Sequence, residues 1–177
     1  MKTVSLSGTP RACVGKKDAK MHRRANNVPC VLYGGKEQVH FVAEEKALAK
    51  VMHTPVAYLF ELNLGGKTYN TIVQDVQYHP VTDRMLHVDF MEIIPEKPVV
   101  IGVPLKITGI APGVLRGGRL VKKMRKLLIR ALVPHLPDEI HVSIDNLEIG
   151  DSIKVSDMTM EHVTFLDPPN SVIIGVR

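Results

Sequence analysis

Tryptophan is missing from this sequence and aromatic residues make up only 5% of it, so valine, isoleucine, leucine and methionine must fill any core. The same scarcity argues against a surface that stacks splayed single-stranded bases on rings. Cysteine is nearly absent too. Cys13 and Cys30 form no CxxC pair, which reads as free thiols in a cytosolic chain rather than a disulfide scaffold. The longest apolar run, VVIGVPL, falls far short of a membrane span. The stretch MKTVSLSGTPRACVGKK holds no apolar segment of the kind a secretory signal needs, so none is expected.

Catalytic and cofactor signatures are equally scarce. There is no GxSxG, and neither cysteine has a local activating pattern. GIAPGVLRGG is glycine-rich but lacks the Gly-Lys-Ser/Thr ending of a phosphate loop, so its glycines are expected to serve turns. The eight histidines show no close ligand spacing on one element, and even His79 and His87 are separated by a turn. A structural zinc is therefore not expected.

What the chain does contain is 45% hydrophobic residues, enough for a packed core, with abundant valine and isoleucine that favour strands. VPCVLYGG reads as a strand and a turn, and QVHFVAEE as a second strand. EKALAKVMHTP shifts to helical spacing through Ala47, Leu48 and Val51, with Pro55 as the stop. VAYLFELNLGGKTYNTIVQDVQ reads as a hairpin, with Tyr58, Phe60, Leu62 and Leu64 alternating with Leu59, Glu61 and Asn63, and Gly65-Gly66 supplying the positive φ of a tight turn. MLHVDFMEI closes a first half that suggests a small β-barrel.

IPEKP, residues 94–98, reads as a boundary. Beyond it VVIGVPLKI places Val99, Ile101, Val103, Leu105 and Ile107 on one face, with Pro104 on the other marking an edge strand. IHVSI, DSIKV and SVIIGV read as further strands, so the fold class is mainly β in both halves. RGGRLVKKMRKLLIRALVP fits either a helical face or a strand; the β surroundings favour strands, with a basic membrane-surface helix as the alternative.

The net charge of +5 is unevenly spread. Residues 1–27 hold seven Lys/Arg against one Asp, and residues 116–130 hold seven with no acid. Residues 131–177 hold two against eight acids. Two basic blocks point to polyanion contact. Within the first, Lys16, Lys17, Lys20, Arg23 and Arg24 fall inside nine residues. Cations at that density neutralise phosphates and release counterions.

A second feature supplies what charge lacks. QDVQYHPVTDRMLHVDF, residues 74–90, packs amides, imidazoles and carboxylates between short apolar runs. Gln74, His79, His87 and Asp89 can hydrogen-bond base edges and 2′-hydroxyls. Tyr33 and Tyr78 can stack or donate to a phosphate. His87 and Asp89 lie two apart, so on a strand they face the same way. That pair could orient a general base, and a hydrolase built on it is one rival reading. A protein-interaction module with an incidental basic segment is another. A structured, double-helical RNA fits the residues better.

GKKDAKMHRRANNVPCVLYGG and QDVQYHPVTDRMLHVDF resemble the two signature stretches of the L-twenty-five family of large-subunit ribosomal proteins that bind 5S rRNA. GVPLKITGIAPGV and LEIGDSIKVSDM resemble its long two-domain form, also called general stress protein CTC. The resemblance implies a six-stranded N-terminal β-barrel with short helices over residues 1–93, and a mostly β domain of the CTC type over 98–177. It implies recognition of the loop E region of 5S rRNA, an irregular duplex whose magnesium belongs to the RNA and not to the protein. It puts Lys20 and Arg23 in the basic contact set, with Lys16 and Arg24 in support. Tyr33, Gln74, His87 and Asp89 fall in the polar recognition set, joined by His79 and Arg84. Ala19, Lys20 and Met21 stand where the family carries a serine and consecutive arginines, so a phosphate contact is either absent or supplied by Lys17 or Arg24. The implied partners are 5S rRNA and, through the second domain, neighbouring ribosomal proteins. No membrane and no small-molecule substrate are expected.

Overall fold

A computed structural model describes residues 2–35, 37–52, 54 and 56–177. His53 and the helix stop expected at Pro55 lie outside the described residues. The chain divides into two units, Met1–Lys97 and Pro98–Arg177.

The first unit is a closed barrel of six strands. They are β1 (Lys2–Pro10), β2 (Asn27–Tyr33), β3 (Val39–Glu44), β4 (Tyr58–Leu64), β5 (Lys67–Tyr78) and β6 (Met85–Glu92), with α1 (Lys16–Arg24) and α2 (Glu45–Met52) between strands. The order around the barrel is β1-β3-β2-β6-β5-β4, and β1 closes it by running parallel to β4. Alternation dictates the inner face: Phe60, Leu62 and Leu64 of β4 point inward while Glu61 and Asn63 remain exposed. Phe41, Phe60 and Phe90 meet at the centre, with Phe90 centred 5.6 Å from each of the other two. Gly8 admits the ring of Phe41, since a Cβ there would lie 2.5 Å from it. Gly65 and Gly66 take φ of 59° and 89°, as the tight β4–β5 turn requires.

The expected barrel is therefore present, but two of its elements carry no apolar pattern. Residues 1–27 read as a polar, basic segment with an apolar start at Val4 and Leu6; within them the structure forms the strand β1 and the helix α1.

The second unit contains β7 (Val99–Thr108), a short helical turn α3 (Pro112–Leu115), β8 (Leu120–Lys122), β9 (Lys126–Ala131), β10 (Ile140–Ser143), β11 (Ser152–Lys154), β12 (Val163–Phe165) and β13 (Val172–Val176). They form a four-stranded sheet, β10-β7-β9-β12, and a three-stranded one, β11-β13-β8. The ambiguous 116–134 segment resolves as strands: Leu127, Ile129 and Ala131 are buried, while Lys126, Leu128 and Arg130 are exposed. It forms no amphipathic helix.

β7 corrects the expectation of an edge strand at Pro104, because it lies inside its sheet. Its ladder with β9 runs from Val99 to Pro104, and its ladder with β10 begins only at Leu105. The Leu105 N–H bonds the Arg125 carbonyl, on the β9 side. Alternation then turns the Pro104 nitrogen toward the β10 side, where no partner strand has yet begun. The missing N–H of proline costs no ladder bond there.

Candidate nucleic-acid interface

α1 has no buried residue, so packing of an apolar stripe does not hold it. Polar contacts do. Arg11 grips Asp18 in its first turn through both Nε, at 2.9 Å, and a terminal guanidinium nitrogen. His22 lies 3.3 Å from the same carboxylate, one turn on. At the other end the Arg23 Nε donates to the Leu86 carbonyl at 2.9 Å. Asp18 near the N-terminus and His22, Arg23 and Arg24 in the last turn also complement the helix dipole.

These ties fix which face points outward. Asp18, Ala19, His22 and Arg23 are half-buried. Lys16, Lys20 and Arg24 recur every four residues and form one exposed stripe, with Lys17 and Met21 beside it. Met21 is 59% exposed, and Lys17 and Arg24 sit one turn to either side of it. The structure thus brings Lys16, Lys20 and Arg24 together as cations with no side-chain partner among the described residues, whereas Arg23 turns inward to pin the helix to β6.

The strand face begins where Arg23 docks. On β6, Val88 and Phe90 enter the core, so His87 and Asp89 point outward. His87 Nδ1 and Asp89 Oδ1 are 2.5 Å apart. A carboxylate only accepts, so Nδ1 is the donor, and the His87 side chain keeps 29% of its surface exposed. The neighbours across the sheet are not the expected ones. A β-bulge falls at Gln74: Val73 pairs with Phe90, and Asp75 with Asp89. Beyond the bulge Gln77 pairs with His87. Gln74, Asp75 and Gln77 are all exposed, while Val73 and Val76 pack against the core. Asp75 and Gln77 are therefore the neighbours of Asp89 and His87, which sequence reasoning missed. Strict alternation puts them on the opposite face from Gln74; only the crowding of polar residues at both parities in VQDVQY hints at a bulge.

Tyr33 joins this face from β2, which runs parallel to β6 with Val31 beside Asp89. Burial first, and then the charges of Asp89 and Asp75, push its phenol above the ordinary value, so it stays a donor. Asp75 and Asp89 themselves stand directly opposite each other, an unfavourable placement for two like charges.

His79 and Arg84 occupy the loop between β5 and β6. His79 Nδ1 accepts the backbone N–H groups of Val81 and Thr82, each at 3.3 Å, which shapes the loop. Arg84 bonds Glu45 of α2 at 2.6 Å, and reaches Asn26 Oδ1 at 3.0 Å and the Arg23 carbonyl at 3.2 Å. It thereby satisfies the C-terminal end of α1. The guanidinium bond holds the Glu45 carboxyl below its ordinary value. Arg23, His79 and Arg84 line one cleft of about 290 Å³, together with Met85 and Leu86.

Other chemistry finds little support here. The outward positions in register with the His87–Asp89 pair are Gln77, Asp75 and Val31, none of them a hydroxyl or thiol nucleophile. Cys30 is buried in the core and its thiol is pushed up to about 12 by desolvation. Among the described residues no group of three or more His, Cys, Asp or Glu is arranged to hold a metal.

Comparison with known proteins agrees with the resemblance read from the signature stretches. The Ribosomal L25p family model matches residues 6–90, and the model for the C-terminal domain of ribosomal protein TL5 matches residues 98–177. The large ribosomal subunit protein bL25 of Porphyromonas gingivalis is 41% identical over 179 residues, covering 100% of this chain and 93% of that protein. That of Amoebophilus asiaticus is 42% identical over 177 residues, covering 100% and 90%. Similar along both units to proteins of one name, the chain belongs to the Ribosomal L25p family, in the two-domain form that carries a TL5-type C-terminal domain.

Proposed function

We propose that this chain binds the loop E region of 5S rRNA, gripping phosphates with α1 and reading the groove with the outer face of β5 and β6. Membership of the family makes it a structural, non-enzymatic constituent of the large ribosomal subunit, working on the ribosome in the cytoplasm. The observation that carries the finer reading is the junction at Leu86–His87. There the Arg23–Leu86 bond ties the helix that exposes Lys16, Lys20 and Arg24 to the strand that carries His87 and Asp89.

Each half has work the other cannot do. Lys16, Lys20 and Arg24 suit phosphates. Asp75 and Asp89 do not; they suit base amino groups and 2′-hydroxyls, which a wide, shallow RNA minor groove presents. Such donors also offset the repulsion between the two opposed carboxylates. Gln74, Gln77 and His87 Nε2 add amide and imidazole contacts on the same face, and the Tyr33 phenol donates. Arg23, Arg84 and His79 contribute chiefly by fixing the helix end and the loop around it. Magnesium stays with the RNA.

The test is a titration of the full chain against a 5S transcript in magnesium, with a plain duplex of equal length as competitor. Preferential binding to the 5S transcript is expected. Equal affinity for the two RNAs would overturn the reading.

A further inference from the structure

We propose that the second unit carries an RNA-backbone surface of its own: a cationic seam centred on Lys123, Arg125 and Lys126, extended along β9 by Arg130 and along β8 by Arg119, that holds phosphates of a further duplex segment of ribosomal RNA. The proposal uses the chain's place in the large subunit but does not depend on recognition of 5S rRNA by the first unit.

The seam lies where the chain passes from one sheet to the other. β8 is in the three-stranded sheet and β9 in the four-stranded one, so residues 123–125 join them. The joint is pinned from both sides. Lys123 N–H bonds the Ile173 carbonyl at 3.0 Å, the Arg125 carbonyl accepts from Leu105 at 3.0 Å, and Lys122 Nζ donates to the Leu105 carbonyl at 3.0 Å. Cations on a pinned backbone are pre-placed, which lowers the ordering cost of binding.

How the unit uses its charges gives the sharper argument. Of the eight acids in residues 131–177, Asp145, Asp151, Asp157 and Asp167 accept backbone N–H groups. Glu139 and Glu148 pair with Lys106 and Arg116. The carboxylates are thus largely used within the fold. The cations are not: among the described residues Arg119, Lys123, Arg125, Lys126 and Arg130 meet no carboxylate at salt-bridge distance, and all five are exposed. Arg119 also exchanges both backbone hydrogen bonds with Arg177, so two arginines face each other across the strands. Like charges so placed repel unless an anion lies between them.

Protection of a sheet edge explains only part of this. β8 is an edge strand, where charge discourages pairing with another chain. β9 is not, since β7 and β12 flank it, yet it carries Lys126 and Arg130 on its exposed face. A protein partner fits less well than RNA, because protein interfaces favour aromatic anchors and are poor in lysine. Phe165 is the one aromatic residue in 98–177. The same lack disfavours single strands held by stacking, which leaves the rails of a duplex.

The test compares the full chain with a K123Q/R125Q/K126Q variant and with the charge-preserving K123R/R125K/K126R variant, using a regular RNA duplex without loops as probe. Each neutralised phosphate contact carries a salt slope of about 0.9, so the glutamine variant should lose about 2 to 3 units of slope, and the charge-preserving variant none. Binding to a fragment restricted to loop E should be unchanged in both, so failure of the 5S reading is seen separately in that arm. Thermal melting followed by circular dichroism checks the fold; if the glutamine variant unfolds, the same comparison is made with R125Q alone, which should lose about one unit. An unaltered slope in a folded variant overturns the proposal. Retention of polyglutamate but not duplex by the wild-type chain also overturns it, in favour of an acidic protein partner.

Discussion

The two units handle carboxylates in opposite ways. In the barrel, Asp75 and Asp89 stand on an outward strand face, opposed to each other and bordered by amides and an imidazole. In the second unit, six of the eight acids of residues 131–177 accept backbone N–H groups or form ion pairs, and five exposed cations meet no carboxylate among the described residues. If RNA binds the first arrangement as proposed, its exposed acceptors must contact something other than phosphate. The second leaves a run of exposed cations, Arg119, Lys123, Arg125, Lys126 and Arg130, with no carboxylate at salt-bridge distance among the described residues. On the proposed reading, one unit combines reading with gripping, and the other only grips. Sequence preference should reside in the first and salt dependence in both.

Substituting Asp89 by Asn is expected to break that contrast most strongly. It keeps the shape and removes the acceptor charge on which His87 Nδ1 and the proposed RNA donors depend. By analogy with base readout the loss should be about 1–3 kcal/mol, or roughly 5- to 150-fold in affinity for a loop E fragment, measured by gel shift. Affinity for a regular duplex should stay at the wild-type level. If both RNAs weaken equally, Asp89 supports the fold and reads nothing.

Lys20→Gln should do the reverse at smaller cost. It lies in the middle of the free stripe of α1 and makes no intramolecular bond among the described residues. Its loss should flatten the plot of log affinity against log salt by about one unit for either RNA. A changed preference between the RNAs, with the slope intact, would reassign Lys20 from gripping to reading. Arg23→Gln is a poorer probe, since it also removes the bond to the Leu86 carbonyl that docks the helix.

Most of the barrel was legible because its strands bury one face each. β4 and the start of β5 alternate, and Gly65-Gly66 marks the turn between them. β1 was not legible: Val4 and Leu6 are its only large apolar residues, and its long pairing is with β4, more than fifty residues away. α1 was not legible because side-chain bonds to Asp18 and from Arg23 hold it, and such bonds leave no 3.6-residue apolar period. In the site, residue types were readable but neighbours were not. The bulge at Gln74 exchanges the faces of everything after it in β5, and so brings Asp75 and Gln77 beside Asp89 and His87. Arg84 looked like one more cation for RNA; only the fold reveals Glu45, Asn26 and the end of α1 around it.

That Arg84–Glu45 bond yields the smallest effect, and one that pH can resolve. Both partners keep some contact with solvent, their side chains being 47% and 19% exposed, so Glu45→Gln should lower stability by only about 0.5–1 kcal/mol near neutrality, read from urea midpoints. The sign follows from the carboxyl's lowered value. A carboxylate favoured in the fold contributes its stability above its ordinary range, and loses it as pH falls through the lowered value. The midpoints of wild type and variant should therefore converge in acid and separate as pH rises. A gap that persists undiminished below the lowered value would mean that Glu45 acts through packing. Because Arg84 also holds the Arg23 carbonyl, the same variant should loosen the C-terminal turn of α1, detectable as faster amide exchange at Arg24 and Ala25 while strand β6 stays protected.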